Sequence, residues 1–164
     1  DGTRMSTVVD LGGRRVRSFS VAPDAVQVAL VLERGKTRAL GIGLLSRQEG
    51  AVHLSHIADI PLSSSDVNLS IITDVAWLSQ TRLCVLGRAI DAGVTTPYEI
   101  AVDGSGATSM GQLTATSMAA VVALPKETGT EAVVLSEDGI LLRHEDSFRW
   151  RQILQGVSAV AVTA

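Results

Sequence analysis

A short, wholly apolar run occurs three times along this chain, and it limits the possible folds more than any other feature. Val28-Ala29-Leu30-Val31-Leu32 returns in kind as Leu83-Cys84-Val85-Leu86 and again as Ala132-Val133-Val134-Leu135. A strand that is apolar on consecutive residues is covered on both of its faces. Each run is preceded by another apolar strand that ends near a turn: Ser20-Val21-Ala22-Pro23, Val75-Ala76-Trp77-Leu78-Ser79 and Val121-Val122-Ala123-Leu124-Pro125. Each is followed by two more strands before the cycle restarts. The unit is therefore four strands in about 50 residues, the size of one propeller blade. A lone four-stranded sheet of this kind leaves two apolar faces wet, and stacked neighbours cover them.

The rest of the pattern agrees. Short apolar segments predict strands at Ser6–Asp10, Val16–Val21, Val26–Glu33, Leu40–Ser46 and Val52–Ile60. The series continues with Thr73–Leu78, Arg82–Arg88, Pro97–Val102, Ala107–Leu113, Met118–Leu124, Glu131–Ser136, Ile140–Arg143, Arg149–Leu154 and Ser158–Val162. Between them stand Gly12-Gly13, Pro23-Asp24, Asp103-Gly104, Gly129 and Asp138-Gly139, residues that accept tight turns. No segment holds an apolar stripe at helical spacing for three turns. The expected fold is all-β, a β-propeller fragment of about three four-stranded blades with flanking strands at both ends. The expected unit is one partial propeller over residues 1–164, with blades at about 15–60, 71–113 and 118–155. A β-sandwich also uses short strands, but the fourfold grouping around a matched second strand favours the propeller. Propellers contain about four to eight blades, so the expectation is a segment of a larger domain.

Composition narrows the function classes. Fourteen basic residues are scattered among seventeen acidic ones, for a net charge of −3, which leaves no strong nucleic-acid footprint. Twelve of the fourteen are arginine, with only Lys36 and Lys126 as lysine, a skew that fits a GC-rich genome better than a binding role. No apolar run approaches the roughly 18 residues of a spanning helix. The one cysteine excludes an internal disulfide and any multi-cysteine metal cluster. Phe19, Trp77, Tyr98, Phe148 and Trp150 are the whole aromatic set, few for a sugar site that needs clustered exposed rings.

No set of residues spells out a reaction. His53-x-x-His56 with Asp59 is the one metal-like spacing, yet on a strand the two histidines point to opposite faces. No metal site is assigned. His144, beside Glu145 and Asp146, reads as part of a polar solvated turn. There is no Gly-x-Ser-x-Gly elbow and no Ser-x-x-Lys. Ser63-Ser64-Ser65-Asp66 follows Pro61 and reads as a long loop, and Cys84 lies in a run whose burial makes it inert. Gly41-Ile42-Gly43 has no helix after it, so it is not a nucleotide loop, and close approach of a neighbouring blade explains it better. Trp77 reads as packing between blades, and Trp150, alternating with Arg149 and Arg151, faces away from both. The chain is assigned no catalytic residue and no cofactor.

Taken in order, these segments resemble the C-terminal β-propeller of LpqB-type lipoproteins from actinobacteria. The resemblance rests on Val26-x-Val28-Ala29-Leu30-Val31, Leu40-Gly41-Ile42-Gly43 and Asp74-Val75-Ala76-Trp77-Leu78. It continues through Leu83-x-Val85-Leu86-Gly87, Val102-Asp103-Gly104, Asp138-Gly139 and Trp150. One departure is Pro23-Asp24-Ala25, which stands where the family has a Ser/Arg-Asp-Gly turn. The resemblance implies an extracytoplasmic lipoprotein held at the membrane by a lipid anchor on an N-terminal cysteine that is not in this chain. It implies a non-catalytic partner of the extracellular part of a two-component sensor kinase of the MtrA–MtrB type, acting in envelope homeostasis and division. Pro61–Asn68 and Arg88–Thr96 are the connections expected to carry the contact. The alternatives are a propeller that binds an envelope glycan and the accessory propeller of a secreted hydrolase.

Overall fold

The computed structural model describes residues 9–48, 50–63, 67–111, 113, 116–127, 129–146 and 148–161. They form twelve strands in three sheets of four, each sheet an antiparallel meander in chain order. The first sheet holds β1 (Arg15–Val21), β2 (Gln27–Arg34), β3 (Thr37–Gln48) and β4 (Ala51–Ile60). The second holds β5 (Leu69–Ser79), β6 (Arg82–Ala89), β7 (Thr96–Ala101) and β8 (Ala107–Ser109). The third holds β9 (Met118–Lys126), β10 (Gly129–Ser136), β11 (Ile140–Asp146) and β12 (Arg149–Gln155). No described residue is helical. The fold is an all-β propeller fragment.

Strand register shows how closely the units repeat. Phe19 and Val21 pair with Leu30 and Val28 in the first sheet. Val75 and Trp77 pair with Val85 and Leu83 in the second, and Val121 and Ala123 with Val134 and Ala132 in the third. One face of each sheet thus carries equivalent apolar residues from its first two strands. The opposite face repeats too: Ala29 and Val31, Cys84 and Leu86, Val133 and Leu135 occupy matching positions on β2, β6 and β10.

Packing uses both faces of the middle sheet. Ala29, Val31, Leu40 and Ile42 of the first sheet meet Val75, Trp77, Leu83 and Val85 of the second in one buried cluster. Ala76, Cys84 and Leu86, from the other face of the second sheet, meet Val121, Ala132, Val134 and Leu142 of the third in another. Leu83, Cys84, Val85 and Leu86 are fully buried, so alternate side chains of β6 serve opposite cores. Trp77 is 2% exposed and its indole Nε1 donates to the Ser20 carbonyl at 2.8 Å, binding the second sheet to the first.

Several elements differ from the sequence-based expectation. Residues 9 and 10 of the expected strand Ser6–Asp10 and residues 158–161 of Ser158–Val162 lie outside any strand, while residues 6–8 and 162 lie outside the described set. Residues 9, 10 and 158–161 suit a strand in composition, but a strand exists only where a sheet edge pairs with it, and among the described residues each sheet has four strands. The strand expected over Ala107–Leu113 ends at Ser109, where Met110 turns back to donate its N–H to the Pro97 carbonyl and Gly111 takes φ 98°. Gly41 and Gly43 do not admit a neighbouring blade. A Cβ on Gly41 would meet Leu32 at 3.0 Å and Ile57 at 3.2 Å, and one on Gly43 would overlap Leu54. The glycines therefore make room for side chains of the adjoining strands β2 and β4.

The Pro23-Asp24-Ala25 turn closes β1 onto β2. Asp24 Oδ1 accepts the Val26 N–H at 2.9 Å, and the Ala25 N–H donates to the Ala22 carbonyl at 2.8 Å. Ala25 is forced to φ 58°, a conformation that glycine adopts without a Cβ penalty. Ala25→Gly is therefore expected to stabilise the fold by up to ~1 kcal/mol, read as a shift in urea midpoint at unchanged m. Trp77→Ala, which removes both ring volume and an inter-sheet bond, is expected to cost about 3–5 kcal/mol in the same measurement.

Candidate functional site

The first strand of each sheet has one free edge, and these three edges run side by side. β5 lies against β1, and β9 lies against β5. They enclose a groove of about 600 Å³ lined by Phe19–Val21 and Pro23, by Asp74–Trp77, and by Val121–Ala123, Pro125 and Thr130. This is the central channel side of the blade stack.

Asp74 is the polar centre of the groove. Its Oδ1 accepts the Ser18 hydroxyl of β1, and its Oδ2 accepts the Val121 N–H of β9 at 2.8 Å. One carboxylate on the middle sheet thus satisfies a side chain of the sheet before it and a strand-edge amide of the sheet after it. Oδ1 also takes the Val75 N–H at 3.0 Å. The Thr130 hydroxyl donates to the Leu78 carbonyl, a further tie between the second and third sheets. Both Asp74 oxygens are engaged, and no histidine, lysine or cysteine is among the described residues that line the groove. Ser18 and Asp74 meet directly, with no third titratable group between them among the described residues. The groove offers apolar side chains and the strand edges that carry them.

The connections at one end of the stack form a second continuous feature. Ile90 in the β6–β7 link donates its N–H to the carbonyl of Asn68 in the β4–β5 link at 3.1 Å. At the far end of the β6–β7 link, Thr95 donates its N–H to the Ser117 hydroxyl at 3.2 Å and accepts the Met118 N–H at 2.9 Å. Ser117 in turn accepts the Glu137 N–H at 2.9 Å. The two links singled out in the sequence, Pro61–Asn68 and Arg88–Thr96, are thus joined to each other and then to the third sheet. Within the first, residues 64–66 lie outside the described set. Ile90 is 60% exposed on this rim.

The other residues singled out in the sequence fall apart from these features. His53 pairs with Ser46 in the β3–β4 ladder, whereas His56 sits at a bulge with φ 50° on the outer side of the first sheet. No three His, Cys, Asp or Glu side chains converge as metal ligands among the described residues. His144 is not in a solvated turn. It lies in β11 opposite Trp150, ring centroids 4.8 Å apart, because the strand runs on to Asp146. Trp150 packs against the second core and donates Nε1 to the Met110 carbonyl at 2.7 Å, so it is an inter-sheet anchor. Cys84 is fully buried beside the Met110 sulfur at 3.6 Å, and burial, with Glu99 and Asp74 adding, pushes its thiol far up and keeps it protonated. Asp74 itself was missed as a hub. The cue was there, a single charge just before the apolar run Val75–Leu78, where a half-buried carboxylate needs partners.

With the blade repeat and the inter-sheet contacts established, comparison with known families is informative. Residues 2–161 match the family described as the lipoprotein LpqB beta-propeller domain. The chain belongs to that family. It is 29% identical over 141 residues to the lipoprotein LpqB of Streptomyces avermitilis, across 86% of this chain and 23% of that relative. It is 30% identical over 146 residues to the lipoprotein LpqB of Streptomyces coelicolor, across 89% of this chain and 23% of that relative. The chain thus spans about a quarter of the length of these LpqB relatives. LpqB kinship makes it an envelope lipoprotein's propeller domain, and its lipoprotein relatives imply an extracytoplasmic, membrane-anchored protein.

The propeller sheets here depend on Asp74 for part of their inter-sheet order. Asp74→Asn places an amide donor where a second acceptor is needed, and is expected to cost about 1–3 kcal/mol, against about 1 kcal/mol for Ser18→Ala. Equilibrium urea unfolding of both variants checks the ranking.

Proposed function

We propose that this chain is a non-catalytic interaction domain of a lipid-anchored envelope protein. In this reading it contacts the extracellular part of a two-component sensor kinase of the MtrA–MtrB type and modulates signalling in cell-wall homeostasis and division. Membership of the LpqB propeller family carries the proposal. One feature supports it. The rim formed by the β4–β5 and β6–β7 links is braced by backbone bonds, so an exposed side chain such as Ile90 is presented from a rigid base. With mixed charges and a net of −3, association through this rim is steered weakly.

The test is calorimetric titration of the full-length lipoprotein ectodomain against the purified extracellular domain of the kinase. Replacing either link, Pro61–Asn68 or Arg88–Thr96, with a short Gly-Ser connection is expected to weaken binding by about tenfold or more. Raising salt from about 0.05 to 0.3 M is expected to change the affinity by no more than about threefold. Absence of binding overturns the proposal. So does binding that ignores both replacements while an envelope glycan binds instead.

A further inference from the structure

One strand of the first sheet leaves its register, and a histidine sits at the break. In the β3–β4 ladder Leu44 pairs with Ser55 and Ile42 with Ala58, so His56 and Ile57 together stand opposite the single residue Gly43. That is a β-bulge, and His56 takes φ 50° in it. The form of bulge with a left-handed residue ordinarily places glycine there, because a Cβ is penalised. Among the described residues one other non-glycine residue has positive φ, Ala25, which closes the β1–β2 turn. Histidine at 56 is thus held against a backbone preference, and bulges of this kind re-aim a side chain.

His56 borders a recess of about 560 Å³ whose lining is divided between apolar and charged groups. Leu11, Leu54 and Ile57 form the apolar part, and these same half-buried residues pack over Val28, Leu30 and Leu32. Arg14, Arg34, Asp10 and Asp59 supply the charge. Arg14 is committed, its Nη1 donating to Asp59 Oδ1 at 2.6 Å and its Nε to the Leu11 carbonyl at 3.0 Å. Asp10 Oδ1 accepts the Gly12 N–H at 2.8 Å. The side chains of Arg34 and His56 have no hydrogen-bond or ion-pair partner among the described residues. We propose that the recess binds a small carboxylate with an aliphatic body, the carboxylate held by Arg34 and His56 and the body by Leu11, Leu54 and Ile57. A guanidinium meets a carboxylate through two parallel bonds, and an imidazole N–H supplies a third. Arg14 and Arg34 are balanced by Asp59 and Asp10, so the lining has no surplus positive charge to offset a second negative charge on the ligand. A monoanion therefore fits better than a phosphate dianion. The site uses neither of the links proposed for the kinase contact and does not rest on that reading.

Isothermal titration of the 164-residue chain with hexanoate tests the site. Saturable one-to-one binding with a Kd of about 1 mM or tighter is expected. Acetate lacks the body, hexanol lacks the charge and inorganic phosphate carries too much of it. Each is expected to bind about tenfold more weakly or worse. Arg34→Gln, at an exposed position, is expected to lower the affinity for hexanoate about tenfold at an unchanged urea midpoint. Arg151→Gln on β12 is expected to leave the affinity as it was. His56→Gly relieves the bulge while removing the imidazole, so affinity is expected to fall about threefold or more without any fall in the urea midpoint. The midpoints separate lost binding from lost folding. The proposal is overturned by an absence of saturable binding, by phosphate or hexanol binding as tightly as hexanoate, or by affinity that survives Arg34→Gln or His56→Gly.

Discussion

A small sheet with apolar side chains on both faces has no acceptable surface in water. This constraint organises everything else in the molecule. β6 expresses it most fully, with four consecutive side chains at zero exposure divided between two cores. Burial sets which faces meet but is indifferent to their angle and offset. Directional polar contacts supply those. Trp77 reaches the Ser20 carbonyl, Trp150 reaches the Met110 carbonyl, Thr130 reaches the Leu78 carbonyl, and Asp74 grips both neighbours. The middle sheet is a partner in every one of these bonds.

Much of the architecture was legible because two-sided burial writes itself into sequence as an unbroken apolar run. The runs beginning at Val28, Leu83 and Ala132 prove equivalent residue for residue in the backbone register. Where the reading failed, local composition could not report a non-local cause. Residues 158–161 are strand-forming in composition but pair with no strand among the described residues. Gly41 and Gly43 signalled a close approach correctly, but the approaching atoms belong to β2 and β4 of the same sheet, not to the next blade. His144 looked like loop beside two acids, and only the tilted ring contact with Trp150 across the ladder shows why the strand continues there.

The candidate site was less legible than the fold. A groove made from three free strand edges has no motif, because its lining comes from positions about 50 residues apart. Asp74 was visible as an odd charge in an apolar context, but its two partners, Ser18 and Val121, are set by blade geometry. The rim fared better. Two links longer than a tight hairpin requires were evident in the sequence, and the structure adds that Ile90 and Asn68 hold them together.

The glycine pair in β3 has a consequence for how autonomous each sheet is. With no side chains at Gly41 and Gly43, Leu54 and Ile57 lean across β3 to reach Val28 and Leu32. One face of the first sheet is thereby closed over β2 by its own β3–β4 hairpin, with Leu11 adding, whereas Leu40 and Ile42 on the opposite face are covered by the second sheet. The first sheet thus owes one of its faces to its own strands and the other to its neighbour, while Phe19 and Val21 at its inner edge stay exposed.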